Sequence, residues 1–185
     1  LYFYWNKWKL DIVKLIIPPS IIGIIIGSIT FSYISDNGVR VIIGSIALLF
    51  ILFTILQSGN FLIKPTKKKG IFWSTVAGYT SFLIHAGGPP LNFYLLPQKM
   101  HKTIYVSTFT LAFAIINAVK LIPYYFLGQL APSYMVISLI LLPLAPVGII
   151  IGYYLHKKVS EKIFYKFIYF FLAIGGFKLI YDGIF

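Results

Sequence analysis

The sequence predicts an all-α integral membrane protein with five full transmembrane helices and one broken, re-entrant helix pair. Three observations lead there. Hydrophobic residues fill 59% of the 185 positions and charged residues only 11%, more apolar surface than a water-soluble domain of this size can hide in a core. The 16 Lys and Arg residues sit in short clusters between long uncharged runs, which marks membrane topology and argues against a nucleic-acid partner. One of those runs is interrupted by His85-Ala86-Gly87-Gly88-Pro89-Pro90, residue types that end a helix.

Uncharged stretches occupy 15–35, 41–63, 71–98, 103–119 and 129–155, and a weaker sixth lies within 163–181, with Lys166 and Lys178 toward its ends. Roughly 20 apolar residues cross a bilayer core, so most of these read as single crossings. The third holds 28 residues and carries the break. If it crossed once, seven basic residues would lie on each side of the membrane, which is no bias at all. If it enters, turns at the break and leaves on the same face, thirteen basic residues share one side and only Arg40 opposes them. Cytoplasmic loops carry the excess of Lys and Arg, so the hairpin is the expected arrangement. Non-helical backbone at membrane depth is tolerated only when buried in protein or lining a water-filled cavity, so the break itself points to a site.

Two segments match at an offset of 125 residues: Pro18, Gly23 to Gly27, Ser35 and Asp36 correspond to Pro143, Gly148 to Gly152, Ser160 and Glu161, with Gly-Ile-Ile-Ile-Gly identical in both. A small-xxx-small pair also serves ordinary helix packing in lipid. In the hairpin topology, however, the two copies cross in opposite directions, the inverted repeat typical of secondary transporters. On this reading residues 1–63 are the last part of a first repeat, 64–70 a basic cytoplasmic loop, and 71–185 the second repeat. The symmetric partner of 71–125 is then expected upstream of Leu1, on the order of 55 residues.

The block from Gly78 through His85-Ala86-Gly87-Gly88-Pro89-Pro90 to Tyr94-Leu95-Leu96-Pro97 resembles the second-half signature of the sulfite exporter TauE/SafE family. Thr108, Asn117, Lys120, Tyr124 and Gly128 resemble that pattern too. The resemblance implies transport of sulfite, organosulfonates or related sulfur-containing anions across the bacterial inner membrane by a multi-pass protein. The family's first glycine-rich segment has no counterpart here.

The residues themselves suggest how an anion would be held. Gly87 and Gly88 free the backbone, and Pro89 or Pro90 suits the first turn of an outgoing half-helix. The N–H groups and positive dipole end of such a helix can hold an oxyanion; the alternative is a plain helix break closed against a neighbour. His85 abuts the break, where it can meet the anion or be satisfied by a backbone carbonyl. Ser81, Thr80 and Asn92 flank the same turn as candidate donors, although Ser and Thr also bond back to helix carbonyls. Asn117, Lys120 and Tyr124 share one helical face; Lys120 can turn inward to attract the anion or snorkel to the interface. The lysines between 64 and 69 read as topology determinants against anionic lipid.

The expected partners are therefore a small anionic solute and the lipid bilayer, with homo-oligomerisation left open. His85, His101 and His156 are far apart in sequence and there is no cysteine, so no metal-ligand spacing, cofactor motif or catalytic constellation is expected. A membrane scaffold or assembly subunit without transport activity is the competing reading, and the broken hairpin separates the two.

Overall fold

The computed structural model describes residues 2–56, 65–130 and 132–185. The expected end of the second span and Lys64 lie outside them. A short 3-10 turn at Tyr2–Tyr4 precedes α1 (Leu10–Thr30), α2 (Asp36–Leu56), α3 (Lys67–Ile84) and α4 (Gly88–Leu95). After a second 3-10 turn at Leu96–Gln98 come α5 (Lys102–Phe126), α6 (Pro132–Leu141), α7 (Leu144–Lys158) and α8 (Glu161–Ile184). Helices α1, α5 and α8 are long and apolar enough to cross a membrane. Large apolar side chains such as Ile149, Ile150, Ile151, Phe170 and Phe177 face outward, as they must when lipid rather than water is the solvent.

Two helix pairs form the body. Helices α1 and α3 run in the same direction, with Leu15 against Gly70 and Gly27 against Phe82. Small residues let their backbones touch. A Cβ on Gly23 would lie 2.0 Å from the Thr75 carbonyl oxygen, and one on Gly78 would lie 2.0 Å from that of Ser20. The Ser20 hydroxyl crosses the same seam, 3.0 Å from the Ser74 carbonyl. Lipid supplies no hydrophobic drive between apolar helices, so close approach and such hydrogen bonds carry the association. Helices α2 and α8 pack antiparallel, Gly44 against Gly176 and Asn37 against Gly183. Helix α5 closes on the first pair, and the Lys9 N–H donates to Thr108 Oγ1 across 3.1 Å.

These contacts put the starts of α1, α3, α5 and α8 at one end of the body. There His101 lies 3.9 Å from Glu161, Lys102 donates to the carbonyls of His156 and Val159, and Tyr165 donates to the Met100 carbonyl. At the opposite end Arg40 lies 3.8 Å from Asp182 and Lys178 lies 2.8 Å from it. Between α3 and α5 the chain doubles back. Gly87 seats against the Ala77 carbonyl and Ser81 of α3, and the Tyr94 ring, at the far end of α4, reaches Gly70 at the start of α3.

The stretch 129–155, read from sequence as one crossing, is two helices of 10 and 15 residues separated by a turn at Leu142 and Pro143. Proline has no N–H to continue the ladder and disfavours helix in the residue before it. The two copies of Gly-Ile-Ile-Ile-Gly also differ in use. Gly23 and Gly27 bring α1 onto α3, whereas Gly148 and Gly152 meet nothing within 4 Å among the described residues.

Equal sequence should therefore not mean equal sensitivity. Gly23→Ala is expected to destabilise the protein by about 1–3 kcal/mol through overpacking against backbone, and Gly148→Ala by less than about 0.5 kcal/mol. Thermal unfolding of both variants in detergent checks the contrast; matching losses would contradict it.

Candidate functional site

A helix that stops inside an apolar medium exposes its last four carbonyls and its next helix's first N–H groups, with no water to satisfy them. Helix α3 stops at Ile84. His85 follows in the left-handed conformation, φ 56°, and its N–H returns to the Thr80 carbonyl. The Ala86 N–H also reaches the Thr80 carbonyl, at 3.2 Å, while Thr80 Oγ1 lies 3.1 Å from the Ala86 carbonyl. Thr80 thus ties the break to the helix that enters it.

Helix α5 satisfies two of the remaining carbonyls. Lys120 Nζ lies 3.0 Å from the Ser81 carbonyl and 3.1 Å from Ser81 Oγ, and the Tyr124 hydroxyl donates to the Phe82 carbonyl at 2.7 Å. Lys120 is 4% exposed. A cation at a helix C-terminus opposes the negative end of the dipole, so both the charge and the hydrogen bonds are favourable there. His85 Nδ1 is 3.5 Å from the same ammonium, but His85 as a residue is exposed. Asn117, three residues before Lys120, is exposed as well.

On the far side of the break, α4 begins at Gly88 with Gly87 as its cap. Pro89 and Pro90 occupy its first turn and have no N–H, so the backbone donors left at that end are those of Gly87 and Gly88. A cavity of about 540 Å³ opens there. Gly88, Pro89 and Asn92 of α4 form one wall, Tyr105, Val106, Phe109 and Thr110 of α5 a second, and Phe164, Phe167, Ile168, Phe171, Leu172 and Gly175 of α8 the third. A Cβ on Gly88 would meet only the Phe109 ring, at 3.9 Å, so that glycine faces the cavity; Gly87 instead is clamped against α3, where a Cβ would lie 2.6 Å from that of Ser81. Asn92 is 8% exposed and accepts a hydrogen bond from the Tyr105 hydroxyl across 2.6 Å.

The eight residues singled out from sequence therefore fall into separate groups. Gly88, Pro89 and Asn92 line the cavity. Ser81, His85 and Lys120 gather at the end of α3, Gly87 joins the two helices, and Asn117 belongs to neither cluster. Tyr105 and Thr110 were not singled out, and the aromatic wall of α8 was not either. For Tyr105 there was a signal: a tyrosine within an apolar span needs a partner for its hydroxyl.

The family model described as Sulfite exporter TauE/SafE matches residues 1–179. No curated protein and no solved structure gives a significant match to the chain.

Lys120→Met keeps much of the side chain's apolar length and removes its three donors. It is expected to lower stability by about 1–2 kcal/mol, the scale of a charge-assisted or interhelical hydrogen bond, as a drop in the melting temperature of detergent-solubilised protein with no anion added. An unchanged melting temperature would contradict a capping role for this lysine.

Proposed function

Because the chain belongs to the sulfite exporter TauE/SafE family, a family of membrane transporters of sulfite-type anions, we propose that it carries small sulfur-containing oxyanions such as sulfite or organosulfonates across the bacterial inner membrane. The substrate sits in the cavity at the start of α4. The observation that carries this reading is chemical. The polar groups offered there by α4 are the N–H of Gly88 and the Asn92 amide one helical turn on, and no Asp or Glu is among the lining residues. Donors at the positive end of a helix hold an oxyanion without a buried cation. The apolar walls suit the short organic part of a sulfonate.

Helices α3 and α4 then form the re-entrant pair. Its support is that α3 and α5 start at the same end of the body while α4 folds back along α3. Charge agrees, since the basic loops at 67–69, 99–102 and 157–162 share that end, which is cytoplasmic by the positive-inside rule. Movement of the anion is by alternating access, two inverted repeats rocking around a site near the bilayer midplane. Ser81, His85 and Lys120 border the same break, and the positive charge of Lys120 favours entry of an anion to it.

Flux of labelled sulfite and of a panel of organosulfonates into proteoliposomes tests the reading. The complete natural protein is expected to give saturable uptake. Gly88→Leu is expected to reduce uptake by tenfold or more, because its side chain enters the cavity rather than neighbouring backbone. Absence of flux for every anion from folded, inserted wild-type protein would overturn the proposal and favour a scaffold. Equal flux through Gly88→Leu would move the site elsewhere.

A further inference from the structure

The cavity contains one hydrogen bond between two lining side chains, from Tyr105 to Asn92. Its length fixes its direction. At 2.6 Å it is shorter than N–H···O bonds normally are and ordinary for O–H···O, so the phenol donates and the amide oxygen accepts. That leaves the Asn92 NH₂ group, which has no hydrogen-bond partner among the described residues. Asn92 is 8% exposed and Tyr105 5%, and both line the cavity.

An asparagine is ambivalent: either its oxygen or its nitrogen can point at a ligand. With the oxygen turned to the cavity it would repel an oxyanion; with the nitrogen it supplies two donors. Tyr105 biases the choice, because its hydroxyl stands at a distance that suits donation to the amide oxygen and is short for accepting from the amide nitrogen. The ring that carries the hydroxyl is itself held, 5.8 Å from the Phe109 ring, 6.0 Å from Phe164 and 5.8 Å from Tyr165.

We propose that Tyr105 is a positioning residue for selectivity: it locks the Asn92 amide with its NH₂ toward the cavity, so that α4 presents donors only and acceptor-only anions are preferred over ligands that carry their own N–H donors. This rests on the anion reading above. It assigns Tyr105 no direct bond to the substrate.

The test compares wild type, Tyr105→Phe, Asn92→Ala and the double variant in proteoliposomes of the complete protein. Labelled sulfite is the transported probe, and methanesulfonate and its near-isostere methanesulfonamide are competitors. Phenylalanine preserves the ring contacts and removes only the hydroxyl. Tyr105→Phe is expected to raise the KM for sulfite about tenfold, the value of one hydrogen bond to a charged group, with the change carried by KM rather than maximal rate. The preference for methanesulfonate over methanesulfonamide should shrink by a similar factor. In the Asn92→Ala background the same substitution should have no further effect, which a general loss of packing would not reproduce. An unchanged KM and preference in Tyr105→Phe, or an equal loss with and without Asn92, would overturn the positioning role while leaving the anion site standing. Wild-type protein that carries no sulfite and is not inhibited by methanesulfonate would overturn both.

Discussion

The structure depends on satisfying the backbone of a helix that breaks inside an apolar body. Each buried carbonyl or N–H left without a partner costs about 1–3 kcal/mol, and in hydrocarbon no water can take the place of a missing partner. Helix α3 ends with carbonyls that the backbone following it does not reach. Lys120 and Tyr124, one turn apart on α5, supply donors to two of them, and Thr80 fastens the residues in between. Helix α5 therefore does more than pack beside α3 and α4; it supplies the donors that complete the end of α3.

That solution makes the two sides of the break unequal. The negative end of α3 is met by a buried ammonium, while the positive end of α4 meets no acidic side chain and opens on a cavity. The same asymmetry explains why the two glycines of the break are not equivalent. Gly87 lets the backbones of α3 and α4 approach, and Gly88 leaves room beside the donors. The proposed anion site uses that unequal completion of the backbone and needs no dedicated cation lining the cavity.

Much of this was readable from residue order. The apolar runs marked most of the helices, though not the division of 129–155, and the Gly-Gly-Pro-Pro break marked where α3 ends and α4 begins. Other features needed three dimensions. Both prolines stand in the first turn of α4, so it has fewer backbone donors than a half-helix ordinarily offers, and the Asn92 amide becomes correspondingly more important. Lys120 left two readings open, facing the bundle or snorkelling, and the structure turns it inward, with its ammonium at the end of α3. His85 borders the break in the left-handed turn that closes α3 and stays exposed, with Nδ1 toward the Lys120 ammonium. The repeated Gly-Ile-Ile-Ile-Gly gave no sign that only one copy packs among the described residues, since packing depends on what lies opposite and not on the motif. Periodicity is equally silent about Tyr105, whose partner is a side chain on a different helix.

The central claim is that the substrate anion lies at the start of α4 and not beside the lysine at the end of α3. Anomalous diffraction from crystals of the complete protein soaked with selenite, the heavier analogue of sulfite, tests it most directly. The account predicts a selenium peak within hydrogen-bond reach of the Gly88 N–H and the Asn92 amide. A peak against Lys120 and His85 with none at α4 would contradict it.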